Sequence, residues 1–316
     1  MTSIGHTKTM DDSIGIDVSK DRLDAFRLSD GQYKSFNNNL VGFRALRRWV
    51  GTRAIRVVYE ATGPYHGAFE RAFSGDLALV KVNPLQARRF AQARGSRTKT
   101  DAVDARMLAL MGDAFALQPD RPVDAKQHEL KELQIERNAL IKDRTRLLNR
   151  IKTQTMGVTK RHTKARIALV KRQLGAIDAE IEARLREHKS KQLDILTSIP
   201  GIGPITAATM LIECPEIGTL GHKQIAALAG LAPMTRQSGQ WRGKAFIQGG
   251  RKFLRDALYM PALVATRFNE EMKQKYQSLK AAGKPSKLAI TVIMRKLIEL
   301  ANTLIKQDRK WMPKTA

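Results

Sequence analysis

The sequence predicts an α/β domain with a mixed sheet, followed by two mostly helical regions. Three observations predict it. Short apolar, β-branched runs separated by turns fill residues 13–82; leucine-rich stretches with three- and four-residue apolar steps occupy 124–188; Gly- and Pro-bracketed turns punctuate the remainder.

Residues 14–18 and 25–28 read as strands joined by the polar turn 19–22, and 33–36 adds a third. A helix is expected over 41–50. The runs 55–59 and 77–82 have the texture of buried strands, and a helix over 65–73 between them makes a βαβ unit with a parallel pair. Pro84 suits the first turn of the next helix, and 101–111 is a further amphipathic helix. Segments 124–151 and 163–188 predict two long helices in an antiparallel hairpin, with Gly157 in the break. Their inward stripes are Leu130, Leu133, Leu140, Leu147 and Ile151, and Ala168, Leu174, Ile177, Ile181 and Leu185. Beyond residue 193, the turn Ile199-Pro200-Gly201-Ile202-Gly203-Pro204-Ile205 joins helices over 193–198 and 206–213 and resembles a helix-hairpin-helix element. Gly201 and Gly203 could let a phosphate approach the backbone, or could simply meet the needs of a tight turn. The organisation expected is a polar leader (1–12), an α/β domain (13–118), a helical-hairpin or coiled-coil linker (119–192) and a mostly helical C-terminal domain (193–316).

The 316 residues carry 56 Lys+Arg against 30 Asp+Glu, a formal charge of +26, which calls for a polyanionic partner. No apolar run approaches the roughly 20 residues of a membrane span, and residues 1–12 lack a secretory apolar core, so no membrane partner is expected. The single cysteine, Cys214, cannot form an internal disulfide and reads as a small buried thiol in a reducing, cytoplasmic setting. Six scattered histidines argue against zinc. Between Arg144 and Ile177 there is no acid, yet Arg150, Lys152, Lys160 and Arg161 and six further cations fall there. A solvated surface explains mixed charge better than one-sided charge, so phosphate contact is expected at this hairpin.

Four acids stand in settings that suit chemistry. Asp17 and Glu60 end predicted strands, where open α/β sheets place their sites. Asp101 and Asp104 lie three residues apart, on one face of a helix. Each alone has a plain reading as a cap, turn or ion-pair residue. Together, acids at two strand ends plus a D-x-x-D helix are the pattern of a ribonuclease-H-like nuclease that holds Mg2+ (or Mn2+) on oxygen ligands. Arg88, Arg89, Arg94, Arg97 and Lys99 precede the pair and could grip a strand. Ser238 sits in a basic, Gly-rich segment with Arg236, Arg242, Lys244, Arg251 and Lys252, and no acid lies between Ile217 and Arg255. Taken alone, that segment reads as a DNA-binding loop; a nucleophilic serine needs a base from elsewhere. Trp241 reads as packed.

The strings Gly15-Ile16-Asp17-Val18-Ser19-Lys20, Glu60-Ala61-Thr62-Gly63-Pro64-Tyr65 and Lys99-Thr100-Asp101-Ala102-Val103-Asp104-Ala105 resemble those of the DEDD transposases of the "one-ten" insertion-sequence family. Ser198-Ile199-Pro200-Gly201-Ile202-Gly203, Ala229-Gly230-Leu231-Ala232-Pro233, Gln237-Ser238-Gly239 and the stretch from Gly249 to Met260 continue the likeness, in order, over nearly the whole chain. The resemblance implies a RuvC-like N-terminal domain with metal-binding acids at Asp17, Glu60, Asp101 and Asp104. It also implies a catalytic serine at Ser238 that forms a covalent link to DNA. Donor and target DNA, a guiding bridge RNA and a homotetramer built as a dimer of dimers are the implied partners, in a bacterial, nucleoid-associated setting. Two other readings remain at this stage: a RuvC-like junction endonuclease using water, and a non-catalytic nucleic-acid-binding protein.

Overall fold

A computed structural model describes residues 12–51, 55–61, 63, 65–96, 98, 100–120 and 124–313. The chain divides into two compact units, Met1–Val123 and Asp124–Ala316.

In the first unit a five-stranded sheet has the order β3-β2-β1-β4-β5, with β1 (Asp12–Val18) central, flanked by β2 (Arg22–Arg27) and β4 (Ile55–Glu60). β3 (Tyr33–Asn37) and β5 (Ala78–Val82) form the edges; β1, β2 and β3 pair antiparallel, whereas β4 runs parallel to both β1 and β5. The period-2 alternation divides β1 into two faces. Ile14, Ile16 and Val18 join a core with Phe43 and Leu46 of α1 (Leu40–Val50) and Phe69 and Phe73 of α2 (His66–Phe73). On the opposite face, Val58 and Val80 pack with Ala87 of α3 (Pro84–Ala93) and Leu108 and Met111 of α4 (Asp101–Ala114). Pro84 occupies the first turn of α3, capped by Asn83, which accepts from the Leu85 amide at 2.9 Å.

The second unit opens with α5 (Ala125–Thr153) and α6 (Gly157–Thr197), the expected hairpin. Leu140, Leu147, Ile167, Val170 and Leu174 close its distal core, and Arg137 pairs with Asp178 across it at 2.5 Å. Two expectations are corrected. The break is only residues 154–156, and Gly157 begins α6, where a first-turn glycine costs little because its amide has no helical partner to lose. Ala168 is exposed; Ile167 and Val170 take the inward register. The segment 193–198 is helical as expected, the last part of a helical stretch that resumes after a kink of non-helical backbone at Lys189 within α6. α7 (Pro204–Glu213), α8 (His222–Leu228), α9 (Lys252–Phe268), α10 (Glu270–Ala281) and α11 (Ser286–Lys306) pack with that end into one large core around Leu196, Met210, Leu258 and Leu297. Between α8 and α9 the chain makes two short pairings, β6 (Pro233–Met234) with β9 (Phe246–Ile247), and β7 (Gln237–Ser238) with β8 (Trp241–Arg242). No helix among the described residues is long and apolar enough to cross a membrane.

Candidate active site

The acids of the first unit converge because of one glycine. Gly15 leaves no side chain between β1 and α4: a Cβ there would lie 1.9 Å from the Ala105 carbonyl oxygen and 2.4 Å from the Ala109 amide nitrogen. Gly112, further along α4, is pressed as closely on Ser13 and Val58, at 2.5 Å each. The helix therefore runs antiparallel to β1, and its first turn comes to the C-terminal end of the strand. Two strand residues beyond Gly15 advance about 6.6 Å, to Asp17. The few helix residues from the contact back to Asp104 and Asp101 retreat by roughly 5–9 Å, to the same level.

Register supplies the neighbours. Asp17 stands opposite Asp24 of β2, and cross-strand partners share a face. On the other side Ile16 pairs with Tyr59, so the next step sets Asp17 beside Glu60. Alternation puts Gly15, Asp17, Asp24, Val58 and Glu60 all on the side of the sheet that α4 covers. Asp101 is exposed, Asp104, Glu60 and Asp17 are half-buried, and Asp24 is buried. Thr100 caps α4, accepting from the Val103 amide at 3.3 Å, so both helix acids lie at the positive end of the helix dipole.

The electrostatic signature follows. The Asp17 carboxyl is pushed up from its ordinary 3.8 to about 6, first by burial and then by the charges of Asp101, Asp104, Glu60 and Asp24. Such a group favours a proton or a cation. Among the described residues no three acids stand at metal-ligand spacing. The donor set fits a hard divalent ion: all oxygen, on adjacent strands and one helix turn.

Asp24 carries no positional mark in the sequence. It sits mid-strand in Arg22-Leu23-Asp24-Ala25, and only the register with Asp17 reveals it. Tyr33 donates its hydroxyl to Asp24 at 2.5 Å, which raises the phenol to about 12. An acid between apolar neighbours is the one signal available.

In the second unit, β7 and β8 form a hairpin with Gly239 and Gln240 at its tip. Gly239 has φ +55, the left-handed value a tight hairpin turn requires. Ser238 is paired with Trp241 and is exposed, as is the whole stretch 234–242. The root of this arm is tightly pinched. A Cβ on Gly250 (φ +67) would meet the Gly230 nitrogen at 2.2 Å, so both ends of the arm pass within backbone contact.

Arg251 locks that root. Its guanidinium donates to both Glu216 carboxylate oxygens at 2.7 Å and to the Glu213 carbonyl at 2.7 Å. Arg255 adds a bond to the Gly249 carbonyl at 2.6 Å. Lys252 pairs with Asp256 one turn along the exposed start of α9. Gly201 also serves packing: its φ is +100, and a Cβ would meet the Pro261 carbonyl of α9 at 2.8 Å. Gly203 is open and precedes Pro204 at the start of α7. Cys214 is a buried thiol, as expected, with its pKa pushed up by burial to about 12.

The remaining cations are mostly at the surface. Arg88, Arg89 and Arg94 are exposed on and just after α3, whereas Arg97 and Lys99 lie outside the described residues. Arg150, Lys152 and Arg161 are exposed around the hairpin tip and Lys160 is half-exposed; of the cations from Arg144 to Arg172 only Arg146 has an acidic partner among the described residues, Asp143 at 3.3 Å. Arg242 and Lys244 are exposed on the Ser238 arm, and Arg236 stacks on Phe246 at 4.8 Å. Trp241 is not packed as expected: it is 60 % exposed.

Comparison with known proteins places these features. A transposase family profile of the DEDD, IS110 type matches residues 14–157, and the transposase IS116/IS110/IS902 family profile matches 193–277. The pilin gene-inverting protein of Moraxella bovis is 31 % identical over 315 residues, covering 94 % of this chain and 96 % of that protein. The counterpart from Moraxella lacunata is 32 % identical over the same coverage. A 43.6 kDa insertion element IS110 protein of Streptomyces coelicolor is 28 % identical over 158 residues, 49 % of this chain and 38 % of that protein. The chain belongs to the IS110 family of transposases, enzymes that cleave and rejoin DNA.

Proposed function

We propose that this transposase recombines DNA through a covalent phosphoserine intermediate on Ser238, assisted by a divalent cation held by Asp17, Glu60, Asp101 and Asp104. The observation that carries the reading is the registered set of acids on the α4 side of the sheet, where burial and then the neighbouring carboxylates raise Asp17. We further take residues 13–118 as a RuvC-like domain, 119–192 as a linker and 193–316 as the domain that supplies the serine.

Bound there, Mg2+ or Mn2+ would supply Lewis-acid stabilisation of charge on phosphate oxygens. The protein's own groups do the rest. The exposed Ser238 hydroxyl reaches a strand without displacing other side chains. Its oxygen forms a bond to phosphorus, the bond from phosphorus to a sugar oxygen breaks, and the hydroxyl proton is taken up by a base outside the acid-free arm. The departing sugar oxygen ends protonated. Because the phosphoester bond is exchanged and not hydrolysed, the reverse step can join a second strand with no nucleotide triphosphate. Arg236, Arg242 and Lys244 offer charge to the pentacovalent phosphorus. The Arg251–Glu216 lock holds the root of the arm against the helices of the second unit.

A structured bridge RNA would select donor and target, with the cationic tip of the α5–α6 hairpin gripping its backbone, in a tetramer made as a dimer of dimers and associated with the nucleoid. Inversion by the Moraxella proteins, as their name states, supports recombination as the outcome. The test is a magnesium-dependent reaction on element-end DNA, with the element's RNA, resolved on denaturing gels. Wild type is expected to give a protein–DNA adduct, and Ser238→Ala and Asp17→Asn none. Free cleaved ends with Ser238→Ala would favour a water-using endonuclease.

A further inference from the structure

Of the three tryptophans, only Trp241 stands outside a core. Trp49 packs on Phe36 at 5.8 Å and under Arg27 at 4.2 Å, and Trp311 packs on the large core of the second unit. Trp241 is 60 % exposed, yet it is held in place. It is the register partner of Ser238 in the β7–β8 hairpin, so both side chains leave the same face about 5 Å apart at their Cβ atoms. Its ring lies over Gly243, where an added Cβ would come within 2.4 Å of it. The Gly243 amide donates to the Arg236 carbonyl at 2.9 Å and fixes that approach. The outer edge of the indole's six-membered ring, at Cη2 and Cζ3, is thus held against the arm's own backbone. No acid lies between Ile217 and Arg255, so the flat ring stands in a wholly cationic segment.

We infer that Trp241 is a positioning residue: its free face stacks on an unpaired nucleobase adjoining the phosphate that Ser238 attacks. An exposed, anchored aromatic ring amid cations is the combination that holds single strands with little regard to sequence. The inference rests on Ser238 as nucleophile for its purpose, though base stacking itself can be measured without any chemistry.

The experiment uses the full chain and two probes of equal length: a short oligothymidine and a fully abasic phosphodiester strand. Both carry the same charge, but only one offers bases. Wild type is expected to bind the oligothymidine about tenfold more tightly than the abasic strand. Trp241→Ala should bind the two alike with an unchanged salt slope, and Trp241→Phe should keep most of the preference. Ser238→Ala should keep all of it. A preference that survives Trp241→Ala overturns the inference. So does a Trp241→Ala protein with unchanged preference and an altered sedimentation coefficient, which would assign the ring to contact with a second copy. If Ser238→Ala still forms a DNA adduct while the base preference depends on Trp241, stacking stands and the nucleophile reading falls.

Discussion

At the residue scale, Asp17 shows how a site can oppose stability. Its folded carboxyl sits near 6 against the ordinary 3.8, so the folded chain holds that proton more tightly than the unfolded one. Between about pH 4 and 6 stability therefore falls as pH rises, and the penalty is complete above 6. Asp17→Asn removes the group. In metal-free buffer at pH 7.5 the variant should be more stable than wild type by about 1–2 kcal/mol, a figure discounted because the carboxyl is only half-buried. Below pH 4 the two should unfold together in urea. Added Mg2+ should narrow the difference at pH 7.5 by stabilising wild type alone. Equal urea midpoints at pH 7.5 without metal would show that the acids do not burden one another.

Gly15 belongs to the same scale but acts through geometry. A methyl group at this position would be driven into the Ala105 carbonyl and the Ala109 amide. Because both are helix backbone, relief requires α4 to move bodily. Gly15→Ala should cost about 3 kcal/mol in urea unfolding and abolish recombination. A variant that folds with wild-type midpoint and activity would contradict the close approach. Asp17 and Glu60 are legible in the sequence because strand ends are. Gly15 is visible there only as part of a string, since nothing local says which helix lies across it. Asp24 is hidden because its partner, Asp17, is fixed by register and not by spacing.

At the element scale, the arm 231–249 depends on its root. Glu216→Gln leaves the Arg251 guanidinium, about a third exposed, without its carboxylate. The loss should be about 1–2 kcal/mol, with faster protease cleavage inside 233–247 as the specific sign. An unchanged cleavage rate would mean that the Gly230–Gly250 pinch alone holds the arm. The sequence marks Arg251 only by its basic neighbours; its ion-pair partner Glu216 lies 35 residues upstream. The close neighbour of Gly201, α9, is likewise distant in the sequence. The α5–α6 hairpin is legible from its apolar stripe, although its turn is far shorter than the charge-rich, weakly periodic segment 152–162 suggests.

At the scale of the whole molecule, a formal charge of +26 demands a polyanion, and among the described residues the cations Arg150, Lys152 and Arg161 near the hairpin tip have no acidic partner. Changing Arg150, Lys152 and Arg161 together to Gln should lower the slope of log affinity against log salt by about 2–3 for duplex nucleic acid, with Ser238 and the acids untouched. An unchanged slope would move the polyanion elsewhere on the chain. The strand positions, the parallel pair and the helical second half can all be anticipated, because period-2 and period-3.6 patterns are strong in this chain. The hairpin bearing Ser238 cannot: its strands are two residues long, and no apolar alternation announces them.

The most direct measurement is mass spectrometry of the tryptic peptide left attached to DNA after a reaction quenched in denaturant. The account predicts a phosphodiester mass on the peptide containing Ser238, present with Mg2+ and absent when Asp17, Glu60, Asp101 or Asp104 is changed to its amide. A DNA-linked peptide lacking Ser238, or an adduct that forms at full yield in chelator, would contradict it.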